Sequence, residues 1–214
     1  VRAAQQLRPY ATRPTGLNIS LRKRIPMGAG LGGGSSNAAT TLQTVSELWQ
    51  CRIDHQRLHE IAAALGSDVP FFLRGPSAIC RGRGEIVSPA SLPRPTGVLV
   101  ILPGIEMPTP AVYRKFDEMG LGSNLAAVEK QLPDTDLDTD SLLARLVNDL
   151  EAPAFALSPD LARLREQAEE ILGRPVRMSG SGSTLFTLYD DEQQAAEAAS
   201  ILPAEIRSVA CRLG

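Results

Sequence analysis

The sequence is short of several things at once, and each shortage removes a class of protein. Neither charge predominates, since 22 Lys and Arg face 24 Asp and Glu for a formal net charge of −2. A chain that holds nucleic acid through its phosphates normally carries a clear basic excess, so nucleic acid is not an expected partner. No apolar run approaches the roughly 20 residues that a bilayer-spanning helix requires. The opening residues, Val1 to Arg8, lack the uninterrupted apolar stretch of a secretory signal. A cytoplasmic chain without a membrane partner is the expectation. Cysteine is scarce: Cys51, Cys80 and Cys211 are an odd, widely spaced set without a C-x-x-C pair. That pattern argues against a disulfide framework and a zinc knuckle, and reads as buried reduced thiols. Repeats and low-complexity tracts are missing too. What is present is 214 residues, 43% hydrophobic and 21% charged, the proportions of a globular chain with one large domain or two small ones.

Proline and glycine cut the chain into short elements. Val1, Ala4 and Leu7 fall at helical spacing before Pro9, and Leu17, Ile19 and Leu21 alternate with polar residues as in a half-buried strand. A glycine-rich loop follows, and a helix begins near Ser35. Asp54 suits the N-cap of a second helix striped by Leu58, Ile61, Ala62 and Leu65, with Gly66 closing it in the left-handed conformation. Ser67-Asp68 then leads into the strand-like run Val-Pro-Phe-Phe-Leu73, and Arg81 to Glu85 reads as a turn. Asp68 at this junction is either a turn aspartate or a displayed functional carboxylate. Pro89 to Pro95 is the expected boundary between two lobes, 1–92 and 93–214.

The second half carries a buried strand at Val98 to Leu102 and helical patterns at Pro110 to Met119, Leu125 to Leu132 and Ser141 to Leu150. Leu161, Leu164, Ala168 and Ile171 stripe a further helix ending at Gly173. Strands at Val176 to Met178 and Leu185 to Tyr189, a helix from Glu192 to Leu202 and a last strand at Ile206 to Cys211 complete the order β-α-β-β-α-β, which is ferredoxin-like. The expected class is α+β.

The chemistry concentrates in Pro26-Met-Gly-Ala-Gly-Leu-Gly-Gly-Gly-Ser-Ser-Asn37, which holds five glycines among the nine residues from Gly28 to Ser36. Glycines let backbone N–H groups approach an anion, and a helix N-terminus adds unsatisfied donors and partial positive charge. A phosphate site is therefore expected over a flexible linker. Gly28-Ala-Gly-Leu-Gly-Gly33 also fits G-x-G-x-x-G, with Glu47 near the position of a ribose-binding acid. However, a dinucleotide unit needs a second parallel strand directly after the helix, whereas another helix pattern follows Trp49. The Walker pattern fails because no Lys follows the last glycine.

Taken with Ala38-Ala39, this loop resembles the second signature of the GHMP kinases. Leu65-Gly-Ser-Asp-Val-Pro-Phe-Phe72, Gly82-Arg-Gly-Glu85, Pro103-Gly104, Pro108-Thr-Pro110 with Tyr113, and Asn148-Asp-Leu-Glu151 agree in order, and Ser179-Gly-Ser-Gly182 resembles the third signature. The resemblance narrows to the branch that phosphorylates the 2-hydroxyl of a cytidine diphosphate-linked methylerythritol in non-mevalonate isoprenoid (terpenoid) synthesis. It implies an N-terminal lobe like the second domain of ribosomal protein S5 and a ferredoxin-like C-terminal lobe. It also implies that Pro26, Met27, Gly28, Ala29, Gly30, Leu31, Gly32, Gly33, Gly34, Ser35 and Ser36 wrap ATP. Asp68 would be the catalytic aspartate, Thr109 and Tyr113 would line the substrate site, and Ser179, Gly180, Ser181 and Gly182 would form the third-motif loop. Mg²⁺ would accompany ATP, touching Ser35 or Ser36; no carboxylate cage is legible, and the metal ligands are unknown.

His55 and His59, at i and i+4, could bind zinc but lack a third ligand and read as a solvated pair. Arg22-Lys-Arg24 reads as a solvated strand end. The Pro-Ala-Lys-x-Asn strand and the aromatic-His stretch of the family do not occur in the sequence. The expectation is a family member without those first strands, leaving an exposed sheet edge at Leu17 to Leu21 through which copies self-associate. Two other functions compete with a working kinase: a nucleotide-binding fragment without turnover, and a dinucleotide-dependent oxidoreductase.

Overall fold

The computed structural model describes residues 1–91, 93, 96–122 and 136–213. It divides into two compact units, Val1–Arg24 with Gly32–Ser91, and Ile25–Leu31 with Leu92–Gly214. The helix expected at Leu125 to Leu132 lies outside the described residues.

The first unit is mainly helical. α1 (Arg2–Leu7) runs into a 3-10 turn, Arg8–Tyr10, where Pro9 ends the pattern; α2 (Gly33–Leu48) and α3 (His55–Leu65) follow. Ala3 and Leu7 of α1, Ala39, Leu42 and Val45 of α2, Trp49, and Ile61 and Ala62 of α3 form one buried cluster with Val69. Their three- and four-residue spacing puts each set on one helix face, so burial of those faces holds the unit together. Asp54 caps α3 as its position predicts, its Oδ1 accepting from the Arg57 N–H at 2.7 Å. α4 (Phe71–Arg74) and the antiparallel hairpin β1 (Ala78–Arg81) and β2 (Ile86–Pro89) complete the unit, the turn between strands being the one expected at Arg81 to Glu85.

Several expectations need correction here. Leu17 to Leu21 is not a strand: it belongs to neither sheet, with Leu17 half-buried against the helical core and Ile19 and Leu21 about half exposed. Alternation supplies the faces of a strand, but a ladder also needs a partner strand in register, and among the described residues this segment pairs with none. The sheet edge expected to recruit another copy is therefore absent from this segment. Phe71-Phe72-Leu73 is one helical turn because Pro70 sits at φ −57°, ψ −35°, already helical, instead of opening a strand. Gly66 ends α3 in an extended conformation at φ 174°, not a left-handed one. Cys80 is exposed, and Cys51 and Cys211 are half-buried against the margins of hydrophobic clusters, so none of the three free thiols is fully buried.

The second unit is built on a four-stranded antiparallel sheet ordered β4-β5-β3-β6, with β3 (Gly97–Ile101), β4 (Arg177–Met178), β5 (Leu185–Tyr189) and β6 (Ser208–Arg212). α5 (Thr109–Glu118), α6 (Thr139–Arg145), α7 (Glu151–Leu157) and α8 (Pro159–Leu172) lie in sequence between β3 and β4, and α9 (Glu192–Ile201) between β5 and β6. With α8 as the first crossover and α9 as the second, this is the ferredoxin-like order. Central β3 is buried on both faces: Leu99 and Ile101 join the core containing Leu161, Ala168, Ala195 and Ala198, while Val98 joins Leu142, Leu143 and Leu188. Burial on both sides explains an apolar run without alternation. The helix expected through Leu150 stops at Arg145, and a separate α7 begins after an Asn148 turn in which Leu150 N–H donates to Asn148 Oδ1 at 3.0 Å.

Candidate active site

The glycine loop is shaped by left-handed residues at alternate positions, Gly28 (φ +65°), Gly30 (+72°) and Gly32 (+62°). At Gly30 the requirement is doubled, because a Cβ there would stand 2.2 Å from the Ser179 carbonyl oxygen and 2.9 Å from that of Gly182. The close approach is bonded. Ser179 Oγ donates to Gly30 O at 2.9 Å, and Thr184 N–H donates to Ala29 O at 3.2 Å. The Ile25–Leu31 stretch thus belongs to the second unit, tied to the Ser179–Thr184 turn.

Gly32 is the N-cap of α2, accepting from Ser36 N–H at 2.9 Å; a Cβ on it would meet the Phe72 ring at 2.9 Å. A glycine cap brings no side-chain acceptor, and the first turn of this 16-residue helix carries no acidic residue. The N–H groups of Gly33, Gly34 and Ser35 have no acceptor within the helix, and the helix dipole adds partial positive charge. Five glycines therefore lead into an end of a helix suited to phosphate oxygens, with the half-buried Ser35 and Ser36 beside it.

Asn148 and α7 brace the Ser179–Gly182 turn from below. Its own bonds are Ser179 N–H to Thr184 O at 2.9 Å and Gly182 N–H to Ser179 O at 3.0 Å. Asn148 Nδ2 donates to Met178 O at 2.9 Å and to Gly180 O at 2.8 Å, and Met178 N–H donates to Glu151 Oε1 at 2.7 Å. Ser183 Oγ donates to the Ile105 carbonyl, and the buried Ser181 hydroxyl bonds Thr109 Oγ1 at 2.8 Å. Thr109 opens α5, and Tyr113, one turn on and 53% exposed, shares its side of the helix. The structure therefore brings Thr109, the third motif and the Pro26–Leu31 loop together within one unit.

Asp68 stands in the first unit, exposed in the turn between α3 and α4, with a long 3.4 Å contact from Ser67 Oγ. The turn of the β1–β2 hairpin lies close by: a Cβ on Gly84 (φ +116°) would be 3.5 Å from Asp68 Oδ1. Partial burial, with a smaller contribution from the Asp68 carboxylate, pushes the Cys80 thiol pKa up, which keeps it a protonated, weakly nucleophilic thiol. Backbone N–H groups of Glu85 itself and of Arg83, the latter 2.7 Å from Glu85 Oε2, hold the Glu85 carboxyl below its ordinary range.

His59 corrects the reading of a solvated pair. It is half-buried, and its Nε2 lies 2.8 Å from the Glu85 carbonyl, an arrangement in which Nε2–H donates. Among the described residues no group of three or more His, Cys, Asp or Glu side chains could hold a metal ion. Arg22, Lys23 and Arg24 are exposed. The sequence shows Asn148 and Glu151 only as part of a pattern; the bonds of Asn148 to Met178 and Gly180 and of Glu151 to Met178 join distant elements and carry no local signal.

A left-handed glycine loop bonded to the Ser179–Gly182 turn on a ferredoxin-like sheet, and a separate long helix that opens on a glycine cap, are features of a small-molecule kinase. Comparison with known families agrees: the model described as the GHMP kinases N terminal domain matches residues 1–76, and that described as GHMP kinases C terminal matches residues 132–207. The 4-diphosphocytidyl-2-C-methyl-D-erythritol kinase of Thermus thermophilus is 41% identical over 221 aligned residues, which cover 100% of this chain and 74% of the relative. That of Thermodesulfovibrio yellowstonii is 35% identical over 205, covering 92% and 70%. A crystal structure of 4-(cytidine 5'-diphospho)-2C-methyl-D-erythritol kinase superposes with a TM-score of 0.81 at 42% identity, covering 100% of this chain and 76% of that one. Homoserine kinase from Cytophaga hutchinsonii shares the fold, with a TM-score of 0.69 at 19% identity over 90% of this chain and 68% of that one. The chain belongs to the GHMP kinases and, within them, to the 4-diphosphocytidyl-2-C-methyl-D-erythritol kinase family.

Proposed function

We propose that the chain transfers the γ-phosphoryl group of ATP to the 2-hydroxyl of 4-diphosphocytidyl-2-C-methyl-D-erythritol, a phosphotransferase reaction with an alcohol acceptor in non-mevalonate isoprenoid precursor synthesis. The observation that carries this reading is the Gly28–Ser36 loop, which opens α2 on a left-handed glycine cap and leaves the first-turn N–H groups for an anion. The loop Pro26 to Ser36 binds the ATP phosphates, with residues 1–92 as the ATP-binding lobe and 93–214 as the C-terminal lobe. Thr109 and Tyr113 hold the cytidine-bearing substrate, and the Ser179–Gly182 turn keeps the glycine loop in shape.

In the reaction the acceptor oxygen bonds to the γ-phosphorus as the bridging β–γ oxygen bond breaks, and ADP leaves. Asp68, exposed in the turn between α3 and α4, accepts the hydroxyl proton. Phosphoryl transfer demands mainly alignment and charge stabilisation, which N–H donors at a helix start supply without covalent chemistry. The Ser35 or Ser36 hydroxyl would hold a Mg²⁺ ion bound with ATP, which would supply charge neutralisation at the phosphates. This donor set, hydroxyls without a carboxylate cluster among the described residues, suits a cation carried in by its nucleotide.

The test is ADP release from ATP, Mg²⁺ and 4-diphosphocytidyl-2-C-methyl-D-erythritol, run beside Asp68→Asn. Turnover that the variant loses supports the proposal. ATP binding without turnover in the unaltered chain would favour a nucleotide-binding protein that does not catalyse. The oxidoreductase reading is closed by the fold, since α3 follows α2 where a dinucleotide unit places its second parallel strand.

A further inference from the structure

We infer that Asn148 is a positioning residue for phosphoryl transfer: its carboxamide fixes the Ser179–Gly182 turn and, through that turn, the Pro26–Leu31 loop. The inference rests on the proposed kinase reading for what the loop binds, but the linkage itself is read from the bonds. A primary amide offers two N–H donors and one carbonyl, and Asn148 uses all three groups. Both hydrogens of Nδ2 go to backbone carbonyls that flank Ser179, Met178 O at 2.9 Å and Gly180 O at 2.8 Å. Oδ1 accepts from Leu150 N–H at 3.0 Å, which sets the plane of the amide and aims the donors.

The turn so fixed passes its position on. Gly180 is left-handed at φ +56°, and a Cβ on it would lie 3.1 Å from Gly30 O, so the turn and the glycine loop are packed backbone to backbone. Ser179 Oγ and Thr184 N–H complete the tie to Gly30 O and Ala29 O. Asn148 therefore stands two hydrogen bonds from the phosphate loop without belonging to it. A carboxylate in its place would keep the bond from Leu150 N–H while turning an acceptor toward two carbonyl oxygens. The turn must then shift, and displacement of a phosphate loop by about 1 Å can cost roughly a hundredfold in rate.

The experiment compares the unaltered chain with Asn148→Asp and Asn148→Ala by steady-state kinetics, thermal melting and hydrogen exchange of peptides spanning 26–31 and 178–184. The expected result is kcat lower by about ten- to a hundredfold in both variants, KM for the cytidine-bearing substrate within about threefold, and faster exchange confined to those two peptides. Rates within threefold of the unaltered chain, or exchange that rises across the whole second unit, would overturn the inference. If the unaltered chain shows no turnover, the kinase reading has failed and exchange decides alone. Faster exchange at 26–31 upon substitution at residue 148 then supports the linkage, and unchanged exchange there overturns it.

Discussion

Gly30 and Ser179, 149 positions apart in sequence, meet backbone to backbone: Ser179 Oγ donates to Gly30 O at 2.9 Å, and no Cβ fits on Gly30 without standing 2.2 Å from Ser179 O. The glycine loop is thus not a free coil but one side of a packed contact. Gly30→Ala should destabilise the second unit by about 1–3 kcal/mol from the left-handed φ alone, with the clash adding to it. Urea unfolding of the variant checks this. A midpoint equal to that of the unaltered chain would show that the loop is not packed as described.

Asp68 gives the sharpest separation of chemistry from stability. It is exposed and its hydrogen bond from Ser67 Oγ is long, so its removal disturbs little packing. Asp68→Asn should lower kcat at least about a hundredfold while leaving the melting temperature within about two degrees, because a general base contributes roughly 10²- to 10⁴-fold. A variant that retains most of its turnover would move the proton acceptor elsewhere.

How much of this was legible in the sequence depends on the range of the interaction. The glycine loop was legible because left-handed backbone at Gly28, Gly30 and Gly32 leaves a mark on residue type. The end of α8 at Gly173, left-handed at φ +63°, and the Asp54 cap were local for the same reason. The buried strand around Leu99 was legible from its apolar run. Leu17 to Leu21 misled because its pattern describes one chain and a strand requires two. Phe71 to Leu73 misled because apolar content does not fix the backbone, whereas the helical φ and ψ of Pro70 do.

The bonds of Asn148 to Met178 and Gly180, and of His59 to Glu85, join residues 26 to 32 positions apart. Nothing in the spacing of either partner announces the other, because such pairs form only once separate elements have been folded together. The Asn148-Asp-Leu-Glu151 pattern could be noticed in the sequence, but its work on the third motif could not be read there.

Thr109 and Ser181 offer a second test of the site. Their hydroxyls share a 2.8 Å bond between the start of α5 and the buried side of the third-motif turn. A double-mutant cycle with Thr109→Val and Ser181→Ala should give a coupling of about 1 kcal/mol in stability. Thr109→Val should also raise KM for the cytidine-bearing substrate more than KM for ATP. Additive effects in the cycle would mean the bond contributes nothing net.

Asp138 predicts how acid acts on the second unit. It caps α6, accepting from Ser141 N–H at 2.9 Å and from Ser141 Oγ at 2.8 Å, and these donors, the backbone N–H first, hold its carboxyl below the ordinary aspartate range. Because the folded pKa is the lower one, the carboxylate stabilises the fold above the unfolded value near 3.8, and that contribution fades as pH falls through the folded pKa. The difference in melting temperature between the unaltered chain and Asp138→Ala should therefore be full at neutral pH and shrink below about pH 4. Asp138→Asn keeps an acceptor for Ser141 N–H but cannot titrate, so it should lie between the two at neutral pH without that loss of its own at low pH. An Asp138→Ala deficit of equal size at neutral pH and well below pH 4 would show that the cap acts without its charge.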